Sequence, residues 1–212
     1  MSIMDDLLKK LSATVTNALR SSAVKVKSDI NQGIDNAVKN AKQKASIRKK
    51  TVKFDTLPQN AEKMKAMPIY DQKDEYVVAA CTVAALLRYA ANQSDGKAML
   101  DVLNGPENPA NIDLQRMDEK LIGNDYMIRS YFKGASPEND YTPTQPFTVE
   151  LLEYQNSRDI DNYLYLYVPS GGADNPRQIQ LRKKPSTGEW FIWVFQGLLM
   201  DIRIPVSEDK WA

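Results

Sequence analysis

Along residues 1–50 the apolar positions recur in steps of three and four. They are Met4, Leu7, Leu8, Leu11, Val15, Ala18 and Leu19, then Val26, Ile30, Ile34, Ala37, Val38, Ala41 and Ala45. Such spacing draws one stripe along a helix. The segment has no proline and a single glycine, Gly33. A continuous helix over about 45 residues would run roughly 70 Å at 1.5 Å per residue. That length points to a coiled coil, a helical hairpin or a helix lying on a surface. Leu7, Leu8, Leu11, Val15, Leu19, Ile30, Ile34 and Val38 form the heavier part of the stripe. They are the expected association surface, because an isolated helix cannot cover its own apolar edge.

The pattern changes after Lys53. A short extended piece, Thr51–Phe54, leads to Leu57-Pro58, and Asn60–Met67 reads as a short helix stopped by Pro68. Asp74 and Glu75 open a run from Tyr76 to Tyr89 that is apolar nearly all round, the mark of a central buried helix. Asp95–Leu103 and a stretch opened by Asn111 with Leu114, Met117 and Leu121 read as two further helices. A long loop with three prolines, Ser130–Pro146, follows. Four strand-like runs come next: Phe147–Tyr154, Tyr163–Val168, Gln178–Lys183 and Trp190–Phe195. A last run spans Leu198–Ile204. The expected fold is α+β: a long N-terminal amphipathic helix, then a helical layer packed on a C-terminal antiparallel meander of four to five strands. The expected domains are a basic helical segment, 1–50, and a compact α+β domain, 54–212.

Charge divides along the same line. Residues 1–50 hold 11 Lys/Arg against 4 Asp/Glu, net +7, and the rest holds 17 against 23, net −6. The two parts face different partners, or each other. The chain has no histidine and one cysteine, Cys81. That removes histidine-based triads, histidine-containing metal sites and any intrachain disulfide. No metal or cofactor is expected, and no apolar stretch reaches the roughly 18 residues of a membrane span. The first residues lack the pattern of a secretory signal, so a cytoplasmic location, peripheral to a membrane at most, is the expectation.

Three places are candidates for chemistry. Tyr131, Asp140 and Tyr141 in the proline-rich loop are positioned to line a cleft, against a plainer role as a packed connection. Arg177, Arg182, Lys183, Lys184 and Arg203 are a cationic set suited to an anion or an acidic partner, against ordinary surface ion pairing. Strand alternation puts Arg182 and Lys184 on one face and Lys183 on the other. It likewise puts Trp190 and Trp193 on opposite faces, one in the core and one at the surface. The resulting expectation is a non-enzymatic binding or assembly module that associates through its N-terminal helix. The alternatives are a small-molecule-binding or enzymatic domain with a cone-like pocket, and peripheral binding of residues 1–50 to an anionic membrane. Nucleic acid is the weaker partner for residues 1–50, which carry only Arg20 and Arg48 as arginines and no large aromatic.

The loop Tyr131-Phe132-Lys133-Gly134-Ala135-Ser136-Pro137-Glu138-Asn139, the run Leu181–Lys184 with Trp190 and Trp193, and the tail Asp201–Pro205 to Trp211-Ala212 resemble a family of bacterial domains of unknown function. The resemblance covers about residues 54–212. It implies a single C-terminal domain and assigns no catalytic residue. The order of helices followed by a curved sheet is also similar, at the level of fold alone, to the nuclear-transport-factor-2-like cone.

Overall fold

The structure is a computed structural model, and it describes residues 25, 47–106 and 111–211. The association stripe from Leu7 to Val38 lies outside the described residues. Five strands form one antiparallel sheet in the order β1-β2-β3-β4-β5: β1 Arg48–Phe54, β2 Phe147–Glu153, β3 Tyr163–Val168, β4 Arg177–Lys183 and β5 Trp190–Val194. Between β1 and β2 the described chain forms α1 Ala61–Lys65, α2 Glu75–Ala91, α3 Gln93–Asn104, α4 Asn111–Leu121 and α5 Tyr126–Arg129.

Local chemistry sets the helix starts. Asn60 caps α1, its side chain accepting from Lys63 N–H at 2.9 Å. Asp74 caps α2, accepting from Tyr76 N–H at 2.8 Å and Val77 N–H at 3.1 Å. Asn92 caps α3 through Asp95 N–H at 3.0 Å. Each side-chain oxygen satisfies a backbone donor that the first helical turn leaves free. α2 buries every residue from Val77 to Leu86. It packs on the sheet face formed by Val52 and Phe54, Val149 and Leu151, Leu164 and Leu166, Ile179 and Leu181, and Ile192. Side chains two apart on each strand share that face. The intervening residues point the other way, Tyr163, Tyr165 and Tyr167 among them.

The strands expected at Phe147, Tyr163, Gln178 and Trp190 all form, within one residue at each end. Two departures have clear causes. The sheet begins before the helices, because β1 pairs with β2 along its whole length, from Arg48↔Glu153 to Phe54↔Phe147. Arg48–Lys50, assigned above to the helical segment, therefore belong to the sheet. Only Val52 and Phe54 of that strand are buried, so its cationic first half shows no alternation to read. The run Leu198–Ile204 forms no strand. Gln196–Leu199 is a 3-10 turn with Leu198 and Leu199 both buried, which a regular strand with one covered face does not allow. Residues from Ile47 onward form one compact unit.

Candidate functional site

The proline-rich loop is part of the core. Tyr131 is 2% exposed and donates its hydroxyl to the Leu198 carbonyl at 3.0 Å. Tyr141 is fully buried, donates to the Arg203 carbonyl at 2.6 Å and stacks on Tyr126 at 5.7 Å between ring centroids. Burial pushes the Tyr141 hydroxyl up to about 12 and raises that of Tyr131 further. Both rings are packed into the core rather than presented at the surface. Its other side rests on Ser170-Gly171-Gly172. A Cβ on Gly171 would lie 1.9 Å from the Ala135 carbonyl oxygen, and one on Gly172 would lie 2.1 Å from the Tyr141 hydroxyl. The two glycines allow this close approach. Asp140 is exposed and accepts from Ser207 Oγ at 2.6 Å.

The cationic set divides between the two ends of β4, about 17 Å apart at strand rise. At one end Arg177 donates to the Asp201 carbonyl at 2.8 Å, and Arg203 is paired with Asp174. At the other end Arg182, Lys183 and Lys184 are among the residues that line a hollow of about 240 Å³, with Asn104, Phe191 and Trp193. None of its lining residues is acidic. Asn104 is 5% exposed, and its side-chain Nδ2 has no hydrogen-bond partner. A buried donor without an acceptor carries a desolvation cost.

The walls of the hollow follow from the sequence. Asn104 ends α3, and Gly105 turns the chain with φ at 63°. A Cβ on Gly105 would fall 2.4 Å from the Phe191 ring, so only glycine brings this turn down onto β5. β4 and β5 pair with a register shift between Gln180 and Leu181, where Gln180 faces Val194 and Leu181 faces Ile192. The residue between, Trp193, is 39% exposed, whereas Trp190 is 6% exposed. The expected division of the two tryptophans is therefore met by ordinary alternation, and the bulge leaves Val194 exposed beside Trp193 as well. The Arg182 guanidinium lies 4.7 Å from the Trp193 ring centroid and 5.8 Å from that of Tyr163. Lys183 Nζ lies 5.5 Å from the Trp190 centroid, on the opposite side of the strand.

A second polar cluster is closed by its own members. Glu153 is 6% exposed, accepts from Tyr76 and pairs with Arg158 Nε at 2.7 Å, while Arg158 also reaches Glu75. These bonds tie α2 to β2. Side chains of α2 fill much of the volume between helices and sheet, and a separate hollow of about 450 Å³ is lined by Leu87, Ala90 and Ala91 of α2 with Phe147 of β2. The described residues contain no group of three or more Cys, Asp or Glu placed to hold a metal. No described helix is long and apolar enough to cross a membrane.

Arg182 and Lys184 were legible as a pair. Asn104 and Phe191 were not, because nothing local in an Asn-Gly-Pro helix stop says which strand it meets. The fold and this hollow define an α+β domain with one sheet face packed on helices and the other carrying aromatic and cationic side chains. The chain belongs to the family described as "Domain of unknown function (DUF6935)", whose model matches residues 56–206. No curated protein and no solved structure matches it.

Proposed function

We propose that the chain is a non-enzymatic binding module, and that the hollow at the β4–β5 end of the sheet takes an anionic group of its partner. One observation carries this reading: Arg182 and Lys184 stand at a hollow whose lining has no carboxylate. Arginine held against tryptophan keeps its hydrogen-bonding edge free and pre-oriented, which suits phosphate or carboxylate. The arrangement supplies charge and donors but no group suited to move a proton near neutral pH, so binding fits it better than catalysis.

Titration calorimetry with inorganic pyrophosphate at low salt tests the reading. Binding is expected for the full chain, weakening as salt rises. Arg182→Ala combined with Lys184→Ala should abolish it. Undetectable heat with the unaltered chain, or heat indifferent to Arg182 and Lys184, would remove the proposal.

Association through residues 1–46 is a separate proposal. It is supported by the length of the apolar stripe from Leu7 to Val38 and by the charge split between the two parts of the chain. Flotation with anionic vesicles distinguishes a membrane-bound N-terminal segment from a protein-bound one, since only the former would float.

A further inference from the structure

The exposed side of β3 carries a regular row that the hollow alone does not use. Tyr163, Tyr165 and Tyr167 occupy successive outward positions and are each half-buried, while Leu164, Leu166 and Val168 point into the core. Across the ladder each tyrosine faces a planar hydrogen-bonding side chain of β4. Tyr163 pairs with Arg182, Tyr165 with Gln180, and Tyr167 with Gln178. Gln178 Nε2 donates to the Tyr167 hydroxyl at 3.3 Å, and Arg182 lies over Tyr163. The unit of ring plus polar fork repeats every two residues, about 6.8 Å along the strand. Tyr154 packs edge-on against Tyr167 at 4.7 Å, and Trp193 packs edge-on against Tyr163 at 6.0 Å, so an aromatic flanks each end of the row. None of the six paired residues is acidic, and the row runs at the Tyr163 end into the hollow that Arg182, Lys183 and Lys184 line.

We infer that this face binds single-stranded nucleic acid, with bases laid on the tyrosine row and the backbone phosphates drawn to the cations of the hollow. The inference rests on the anion-binding reading of the hollow and adds the class of ligand. An acidic protein would satisfy the charges but has no use for rings at a fixed repeat. Nucleobases offer a π face and a hydrogen-bonding edge at every step, and antiparallel sheets with exposed aromatics suit unstacked bases. A second copy meeting this face with its own would bring the cations of both hollows together, so like charges oppose it. The step of about 6.8 Å is twice the 3.4 Å rise per nucleotide of a stacked strand, so a strand stretched along the row places one base on each ring. Duplex keeps its bases inside and gains only the charge contacts.

The test is fluorescence anisotropy of a dye-labelled oligothymidylate of about 12 nucleotides with the full chain. Duplex of the same length, polyglutamate and pyrophosphate serve as competitors. Binding of the single strand should exceed that of duplex and polyglutamate, and it should quench the fluorescence of Trp193, a change lost in Trp193→Phe. Tyr165→Leu should weaken binding about five-fold or more, and Tyr165→Phe, which keeps the ring, should not. Removing Arg182 and Lys184 together should reduce the slope of log affinity against log salt by about 1.4. Far-ultraviolet circular dichroism confirms that each variant is folded. Affinity equal for duplex and single strand, or unchanged by Tyr165→Leu, overturns the inference, because the Lys-rich first 50 residues would then account for it. Pyrophosphate binding that depends on Arg182 and Lys184, without ring-dependent oligonucleotide binding, overturns the inference alone and leaves the hollow's anion reading standing. Absence of both overturns both.

Discussion

Glu153 shows how one side chain is held in an unfavourable place. Burial pushes its carboxyl upward, but the hydrogen bonds from Arg158 and Tyr76, with the charges of Arg158 and Arg48, outweigh that and hold it below its ordinary value of 4.5. A carboxyl whose value falls on folding stabilises the native state above the unfolded value, and that stabilisation is lost as pH drops through the folded one. The protein should therefore lose stability as pH falls below about 4.5, measured by urea unfolding across the acid range. Glu153→Gln should flatten that acid loss and cost about 1–3 kcal/mol at neutral pH, because Arg158 would keep only Glu75 as a charged partner. Cys81 offers a second check. It is fully buried among the apolar residues of α2, and burial pushes its thiol up to about 12. Without thiolate and without access it should resist a disulfide reagent at pH 8 in the native protein and react fully in guanidinium. Reaction at the rate of the unfolded chain would show that α2 is not where the structure places it. Its burial was readable in the sequence, since every neighbour one turn away is apolar or small.

At the scale of elements, α3 contains a glycine that helix propensity disfavours by about 1 kcal/mol relative to alanine. The structure supplies the reason. A Cβ on Gly96 would sit 2.3 Å from both Cα and N of Tyr89, so α2 and α3 touch backbone to backbone. Gly96→Ala should destabilise the protein by about 3 kcal/mol despite its better propensity, read from the urea midpoint, because a rigid helix backbone has no rotamer with which to yield. An increase in stability would mean the two helices are not in contact. The sequence announced α3 from its Asn104-Gly105-Pro106 stop but gave no sign of this contact, because the partner lies across a turn. The same distinction explains the rest. Strands β2 to β5 were legible because alternation is a local property, and each has one covered face. β1 was legible only over Thr51–Phe54, since Arg48, Lys49 and Lys50 belong to the sheet through pairing with β2, about 100 residues away. The hollow was half legible for the same reason: Arg182 and Lys184 are neighbours in sequence, whereas Asn104 reaches them only through the fold.

For the whole molecule, the division of charge and the division of apolar surface coincide. The unit from Ile47 onward carries its own core, from Val52 and Phe54 through α2 to Ile202, and so has the means to fold alone. A chain starting at Ile47 should unfold in one cooperative transition, with fluorescence and circular dichroism giving the same midpoint. The proposed association then belongs to the segment it lacks. Light scattering should give a mass above that of one chain for the full protein and the mass of one chain for the shortened one. Two driving forces compete in that segment, and salt separates them. If attraction between residues 1–46, net +4, and residues 47–212, net −3, joined one chain to the next, screening at 0.5 M salt would dissociate the assembly. If the stripe joins them, salt should leave the mass unchanged, and Leu11→Asp with Ile34→Asp should reduce it to one chain, because a carboxylate in an apolar seam loses its hydration without gaining a partner. The stripe repeats over roughly 40 residues while the charges are dispersed around it, so the salt-resistant outcome is the expected one. Equal single-chain masses for the full and shortened proteins at all concentrations would leave the stripe without a function in self-association.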